Sequence, residues 1–160
     1  MTKEQLGNLV LASEDTLYHV AKTLLYNDAD CADAIQETIV KAFSKIHTLK
    51  ADAYARTWLI RILINECYTL MRKQKNLIPM DTLPETAQEA NTEDYSDLYE
   101  ALSRLTEPMR LTVTLYYMEG YSVKEIASLL DTTESAVKNR LMRARIRLKQ
   151  DLENMEAAGI

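Results

Sequence analysis

The strongest chemical signal in the sequence is a cluster of basic side chains near its end. The segment from Ser135 to Lys149, SAVKNRLMRARIRLK, holds six basic residues and no acidic residue. The whole chain is nevertheless acidic, with a formal net charge of −5 at pH 7. Because a local excess of positive charge attracts polyanions, this segment predicts a contact with nucleic acid.

The residues around the basic segment predict a helix-turn-helix. Ser122 and Glu125 fit a capping box at the start of one helix, and Thr133 is positioned to cap the next helix after a short turn. The final helix carries apolar residues spaced at i, i+4, i+7 and i+11, namely Val137, Leu141, Ala144 and Leu148. This combination makes DNA the favoured polyanion, because a helix-turn-helix places its second helix in the major groove.

The same periodicity turns four residues outward near the start of the final helix: Lys138, Asn139, Met142 and Arg143. A recognition helix contacts base edges with residues near its start. Lysine and arginine donate to guanine, asparagine pairs with adenine, and methionine offers an apolar contact to the thymine methyl group. The later basic residues are interpreted as phosphate contacts or solvated charge: Arg145, Arg147 and Lys149.

Charge and composition divide the chain into three parts. Residues 1–75 carry a net charge of +1, residues 76–97 carry −6 with no basic residue, and residues 98–160 carry no net charge. The middle part holds two of the three prolines and little periodicity, so we interpret it as a flexible acidic linker. Helical periodicity on both sides of it predicts an all-α protein built from two small helical modules.

The first module is predicted to contain three or four helices that share a core. Three apolar stripes support this: Leu17, Val20, Ala21, Leu24 and Leu25; then Ile35, Ile39, Ala42, Phe43 and Ile46; then Leu59, Ile62, Leu63, Cys67 and Leu70. Trp58 is interpreted as a core anchor rather than a base-stacking platform. The opposite faces are the candidate functional surfaces: Asp33, Gln36, Glu37, Val40 and Lys41 on the second helix, and Arg61, Asn65, Tyr68 and Arg72 on the third.

The sequence lacks the patterns of an enzyme or a metal site. Asp28, Asp30 and Asp33 are spaced like the start of a calcium loop. However, the glycine of the sharp turn is missing, and Ile39 stands where glutamate is needed. No catalytic triad, glycine-rich phosphate loop or zinc-protease motif is present. We therefore expect no catalytic activity, no metal and no cofactor.

The cysteines and the hydropathy pattern favour a cytoplasmic protein. Cys31 and Cys67 lie inside helical patterns and form no disulfide framework, so we expect inert thiols in a reducing compartment. No apolar run approaches the roughly 18 residues that a membrane span needs. The acidic N-terminal region does not resemble a secretion signal. We expect no insertion into a membrane.

Both modules, in this order, resemble the extracytoplasmic-function (ECF) sigma factors of bacterial RNA polymerase. NDADCADAIQETIVKAF resembles the helix with which the family binds the polymerase clamp, and ARTWLIRILINECYTLMRK resembles its helix that reads the minus-ten element. YSVKEIASLLDTTESAVKNRLMRARIRLK resembles its helix-turn-helix for the minus-thirty-five element. The resemblance implies a sigma region 2 fold for residues 1–75 and a four-helix sigma region 4 fold for residues 98–160.

The resemblance implies an initiation factor that binds core RNA polymerase and directs it to specific promoters. The clamp of the largest subunit would contact Asp33, Ile35, Gln36, Glu37 and Val40. The minus-ten element would contact Arg56, Trp58, Arg61, Asn65 and Arg72, and the loop Leu49–Ala55 would hold a flipped base together with Asn65. The minus-thirty-five element would contact Ser135, Lys138, Asn139, Arg140, Met142 and Arg143.

Two further partners follow from the resemblance: the flap of the second polymerase subunit and an anti-sigma factor, for which Met142 and Ile146 are expected to be exposed apolar contacts. The chain also departs from the family pattern at two positions. Ala32 stands where an acidic residue is usual, which would weaken clamp binding slightly. Thr69 stands where aspartate or asparagine is common, so the base preference at the minus-ten element stays open.

A free-standing transcriptional regulator is the alternative interpretation. Such a protein would use the second module to bind operators and the first module to bind an effector or a second copy. It would have no need for the DAIQET helix followed by the RTWLIRILIN helix. Dependence of DNA binding on core polymerase distinguishes the two interpretations.

Overall fold

A computed structural model of the chain describes residues 1–77 and 96–157. The described residues form helices and short connections without a β-strand, which confirms the all-α prediction. The chain divides into two compact units, Met1–Thr86 and Ala87–Ile160. Most of the predicted linker, residues 78–95, lies outside the described residues.

The first unit contains four described α-helices and two short 3₁₀ turns. The helices are α1 (Lys3–Ala12), α2 (Glu14–Leu25), α3 (Asp28–Ser44) and α4 (Ala55–Leu77), and the turns are Ile46–Thr48 and Asp52–Tyr54. Thr2 and Gln5 form a capping box at the start of α1. The Asn27 side chain accepts hydrogen bonds from the first backbone amides of α3, which fixes where that helix begins.

The buried stripe of α3 differs from the prediction. The sequence predicts a stripe of Ile35, Ile39, Ala42, Phe43 and Ile46, but only Ala42 of these is fully buried and the others are half-buried. The buried residues of the helix are Cys31, Ala34, Thr38 and Ala42. Because α3 packs against both α2 and α4, small side chains occupy the line of closest approach and the larger apolar ones flank it. The buried Thr38 hydroxyl donates to the carbonyl oxygen of Ala34 at 2.7 Å.

The predicted stripes of α2 and α4 agree better with the structure. All five predicted residues of α2 are buried: Leu17, Val20, Ala21, Leu24 and Leu25. On α4, Leu59, Leu63 and Cys67 are buried as predicted, Ile62 and Leu70 are half-buried, and Ile60 and Ile64 are buried in addition. The buried arc of α4 is therefore wider than predicted, because the helix packs on both α2 and α3.

Polar contacts between side chains far apart in sequence hold α3 against α4. The Lys41 ammonium donates to the Glu66 carboxylate, and this hydrogen bond raises the pKa of Lys41. The Gln74 amide donates to Asp30 at 2.7 Å. Lys41 is thus engaged with α4, although its position in the sequence suggests the free face of α3.

The second unit contains four described α-helices and forms the predicted helix-turn-helix. The helices are α5 (Ser96–Ser103), α6 (Glu107–Val113), α7 (Val123–Leu129) and α8 (Glu134–Ala157), and α6 continues as a π-helical turn over Thr114–Met118. Pro108 lies in the first turn of α6, where its missing amide hydrogen costs nothing. Gly120 follows the π-helical turn with a φ of 73°, a conformation that favours glycine.

The N-terminal ends of α7 and α8 are capped as the sequence predicts. The Glu125 amide donates to the Ser122 hydroxyl and the Ser122 amide donates to the Glu125 carboxylate, both at 3.1 Å. The Ala136 amide donates to the Thr133 hydroxyl at 3.1 Å, which starts α8. Between the helices, Asp131 adopts a φ of 51°, so the chain reverses at the turn of the helix-turn-helix.

Candidate nucleic-acid interface

The start of α8 presents its polar face to solvent. Val137, Leu141 and Ala144 are buried and Leu148 is half-buried, so this side of the helix is held against α6 and α7. The opposite side carries the exposed side chains Ser135, Lys138, Asn139, Met142 and Arg143. Met142 is 50% exposed although it is apolar. This face combines three kinds of group that can contact base edges in the major groove: basic hydrogen-bond donors, an amide and an apolar side chain.

Arg140 differs from the other residues predicted for this interface. It is half-buried, between the exposed face of α8 and the side packed on the unit. The Arg140 side chain is therefore less accessible to a major groove than those of Lys138 and Arg143.

The distal arginines of α8 have partners within the protein that the sequence pattern did not indicate. The Arg145 Nε–H donates to the Tyr117 hydroxyl, and its guanidinium carbon lies 5.6 Å from the centre of the Tyr117 ring. The Arg147 Nε lies 3.9 Å from an Asp151 carboxylate oxygen. Lys149 is exposed. Arg145 and Arg147 are thus partly engaged within the unit, whereas Lys138 and Arg143 near the start of α8 face solvent.

The outer face of α4 forms a second basic surface. Arg61, Asn65 and Arg72 are exposed and lie at i, i+4 and i+11, on the side opposite to the buried arc. Arg56 is also exposed, at the start of the helix, whereas Trp58 is half-buried. The helix holds five basic residues and one acidic residue, Glu66, whose charge is already matched by Lys41. This surface is thus electrostatically suited to a phosphate backbone.

The loop before α4 presents an aromatic side chain that the sequence analysis did not single out. Tyr54 is 66% exposed at the end of the 3₁₀ turn that leads into α4. Ala55, the next residue, is buried and anchors the loop. An exposed tyrosine beside Arg56 offers a surface on which an unpaired base can stack. The signal that could have revealed it is an aromatic residue next to a helix start and a basic residue.

The face of α3 away from the core is acidic and partly apolar. Asp33, Gln36 and Glu37 are exposed, and Val40 is 62% exposed. Ile35, predicted for the same interface, is half-buried. An exposed apolar residue within an acidic surface is suited to a contact with a basic protein partner.

The aspartates that resemble the start of a calcium loop have other partners. Asp28 accepts hydrogen bonds from the Lys22 ammonium at 2.8 Å and the Tyr18 hydroxyl at 2.9 Å, and these bonds lower the pKa of Asp28. Asp30 accepts from Gln74, and Asp33 faces solvent. Within residues 1–77 and 96–157, no group of three or more His, Cys, Asp or Glu could hold a metal ion.

The two cysteines are buried and carry free thiols. Burial raises the pKa of Cys31 to about 11 and that of Cys67 to about 12. Because the thiolate is the nucleophile, both thiols are poor reactants at neutral pH.

We expect Ellman's reagent at about pH 8 to modify the native chain much more slowly than the unfolded chain, because native pKa values above the unfolded value near 9 leave little thiolate. The expected decrease is about 100-fold for Cys31 and about 1000-fold for Cys67. The modification rates of the native chain should rise only as the pH approaches the native pKa values. Variants with a single Cys→Ala substitution show which thiol gives each rate. Native rates equal to those in denaturant would show that the thiols are accessible and ionised.

An open groove lies on the second unit beside the distal half of α8. It has a volume of about 530 Å³. Its apolar lining consists of Leu102, Val113, Met118, Leu148 and Leu152, and its polar lining of Tyr117, Arg145, Lys149, Glu153 and Glu156. Along α8 the charges at the groove change from basic to acidic. An apolar groove between charged residues is suited to an amphipathic helix of a protein partner.

Comparisons with known proteins define the class of the chain. Residues 9–77 match the family described as Sigma-70 region 2, and residues 95–148 match the family described as Sigma-70, region 4. The first match covers the basic surface of α4 and the second covers the helix-turn-helix. Both regions occur in the order that the sequence analysis predicts.

Individual relatives support the same class. The chain is 31% identical over 159 residues to the RNA polymerase sigma factor SigV of Bacillus subtilis, covering 94% of this chain and 96% of the relative. It is 32% identical over 135 residues to the ECF RNA polymerase sigma factor SigM of Mycobacterium tuberculosis, covering 82% and 69%. The chain therefore belongs to the ECF sigma factors of RNA polymerase.

A solved structure has a similar fold. The sigma factor RpoE of Bartonella quintana, in complex with the anti-sigma factor NepR, superposes with a TM-score of 0.78 at 24% identity, covering 94% of this chain and 98% of that chain. This similarity supports the two-module helical architecture. Among the described residues, no helix is both long enough and apolar enough to cross a membrane.

Proposed function

We propose that this sigma factor binds core RNA polymerase and reads the two elements of its promoters with separate surfaces. The first unit would bind the clamp and the minus-ten element, and the second unit would bind the minus-thirty-five element. The observation that carries this proposal is that each unit presents one exposed basic helix face, on α4 and at the start of α8. A free-standing regulator would need only the second face.

The assignment of the minus-thirty-five element to α8 is supported by exposure and chemistry. Lys138, Asn139, Met142 and Arg143 are exposed near the start of the helix, and the buried residues opposite hold the helix rigidly. Ser135 is exposed in the first turn, where it can donate to a phosphate. Arg140, because it is half-buried, is assigned to a phosphate at the edge of the groove rather than to a base.

The assignment of the minus-ten element to the first unit rests on α4 and the loop before it. Arg56, Arg61 and Arg72 would contact phosphates, and Asn65 would bind a flipped base together with the loop Leu49–Ala55. Tyr54 is added to this set, because its exposed ring can stack on an unpaired base. Trp58 is half-buried, so we assign it to support of the loop.

The polymerase would contact both units through protein surfaces outside the DNA-binding faces. In the first unit, the clamp would bind the acidic face of α3: Asp33, Ile35, Gln36, Glu37 and Val40. In the second unit, the flap would insert an apolar segment into the groove beside the distal half of α8. The residues proposed for the polymerase contacts are distinct from those proposed to read the two promoter elements, so the two kinds of contact would not compete.

An anti-sigma factor is the further partner that we propose for this chain. The solved sigma factor of similar fold is in complex with such a protein. Met142 and Ile146, 50% and 52% exposed on α8, are apolar residues that such a partner could cover. An anti-sigma factor bound there would compete with the minus-thirty-five element. We place this action in the cytoplasm, where bacterial RNA polymerase meets the chromosome.

The proposed function predicts that promoter binding depends on core polymerase. The net charge of −5 repels DNA at long range, and each small unit buries little surface on its element. Binding of both units to one polymerase raises the effective concentration of each for its element, by a factor of about 100 or more. Selection from a randomised promoter library with core polymerase and this chain would first supply the two elements. Run-off transcription and promoter affinity, with and without core, would then test the dependence.

We expect specific complexes and run-off products only when the chain and core are both present. Core polymerase alone is the control. Promoter binding by the isolated chain as tight as that of the complex, without run-off, would instead support a free-standing regulator.

A further inference from the structure

A threonine on the outer face of α4 connects two of the predicted DNA-binding residues. The Thr69 hydroxyl donates to the backbone carbonyl oxygen of Asn65 at 2.9 Å. The Arg72 Nη2 donates to the same hydroxyl oxygen at 3.3 Å. The three residues follow one another along the exposed side of the helix, with Thr69 half-buried between its exposed neighbours.

The two hydrogen bonds make the Thr69 hydroxyl an orienting group for Arg72. A hydroxyl has one hydrogen to donate and lone pairs that accept. Donation to the Asn65 carbonyl directs that hydrogen along the helix and leaves the lone pairs facing Arg72. Because an arginine side chain loses considerable rotamer freedom on binding, a contact that restricts it beforehand lowers the cost of forming the bound state.

The Thr69 hydroxyl is an uncharged partner for Arg72. An acidic residue at the same position would hold Arg72 as well, but its charge would offset that of the guanidinium. Thr69 holds the side chain without offsetting its charge. The acidic residue of α4, Glu66, is engaged by Lys41 of α3. The full positive charge of Arg72 thus stays available to an anion on the outer face of the helix.

We propose that Thr69 is a positioning residue for DNA binding, which orients Arg72 toward a single phosphate of the promoter backbone. This inference rests on the proposed function, because it takes Arg72 to contact promoter DNA. It assigns a role to a residue that lies among the DNA-binding residues but need not touch the DNA.

The test compares Thr69→Val, Thr69→Ser and Arg72→Ala in complexes of the full chain with core polymerase and promoter DNA. Valine keeps the shape and removes the hydroxyl, whereas serine keeps the hydroxyl. We expect Arg72→Ala to weaken promoter binding about tenfold. It should also reduce the slope of log affinity against log salt concentration by about one, as expected for the loss of one phosphate contact. We expect Thr69→Val to weaken binding about threefold, and Thr69→Ser to stay within about twofold of the wild type.

A double-mutant cycle separates positioning from a structural effect. If Thr69 acts through Arg72, Thr69→Val has no further effect on promoter affinity in the Arg72→Ala background. A methylphosphonate scan adds a second readout, since neutralising the contacted phosphate should weaken the wild type and leave Arg72→Ala unaffected. Thermal denaturation of each variant checks that the unit remains folded.

The outcomes distinguish failure of this inference from failure of the proposed function. If Arg72→Ala weakens binding but Thr69→Val matches the wild type, Thr69 does not position Arg72, and the assignment of Arg72 stands. An equal effect of Thr69→Val in both backgrounds also overturns the inference. Unchanged binding of Arg72→Ala at every salt concentration overturns both the inference and the phosphate contact on which it rests.

Discussion

Replacing Lys138 and Arg143 together by alanine is expected to abolish transcription that depends on the minus-thirty-five element. Both side chains are exposed near the start of α8, where they can reach base edges. A good contact of this kind contributes about 1–3 kcal/mol, so loss of two should weaken recognition roughly 30-fold or more. Run-off transcription from a promoter with an intact or scrambled minus-thirty-five element measures the effect.

The fold and the binding of core polymerase should survive this double substitution. Alanine is the best helix former, and the buried stripe of Val137, Leu141 and Ala144 is unchanged. The matched control is Arg147→Ala with Lys124→Ala, which removes the same charge from exposed positions of the second unit that lie outside this face and outside the groove. Transcription with this control should fall by up to about tenfold, equally for all promoter sequences, because basic residues outside the recognition face contact phosphates at most. A parallel loss of core binding in the first variant would show that the face was misassigned.

Reversing the charge of Asp33 and Glu37 to lysine is expected to prevent formation of the polymerase complex. Both carboxylates are exposed on α3. The hydrogen bond with Glu66 and, secondarily, the charge of Glu37 raise the pKa of Lys41, but the ion pair of Lys41 with Glu66 that holds α3 on α4 is formed by neither of the two exposed carboxylates. Like charges brought together at an interface cost several kcal/mol, so we expect a loss of core affinity of about 100-fold. Fluorescence anisotropy of the labelled chain, titrated with core polymerase, measures this affinity.

The control for this variant is Glu4→Lys with Asp15→Lys, which changes the net charge of the first unit by the same amount. These carboxylates lie in the first turns of α1 and α2, so their reversal costs about 0.3–1 kcal/mol each through the helix dipole. That cost appears in the melting temperature and should not appear in core affinity. Equal losses of core affinity in both variants would indicate a general charge effect and contradict a specific clamp surface on α3.

The structural elements that depend only on neighbouring residues are predictable from the sequence. The capping box of Ser122 and Glu125 and the cap at Thr133 involve groups within about one helical turn. Their geometry follows from local backbone chemistry, which any short segment can express. The outward face at the start of α8 was predictable for the same reason, because its buried stripe has regular spacing.

The packing of α3 was decided by the tertiary structure. Its apolar residues cover a broad arc, and the choice of the Cys31, Ala34, Thr38 and Ala42 line depends on the two helices that press against it. A periodic pattern predicts that a helix has a buried side, but the partner helices determine which side chains lie at closest approach.

The basic residues also show which features depend on the sequence alone and which depend on the tertiary structure. Spacing and charge were sufficient to predict a polyanion-binding helix and to select Lys138 and Arg143 as exposed. The engagement of Arg145 by Tyr117, 28 residues away, and of Lys41 by Glu66, 25 residues away, follows only from how the helices pack. Side chains distant in sequence meet only once the core has formed, and local patterns carry no information about such meetings. The tertiary structure therefore decided which of the charges stay free for a partner.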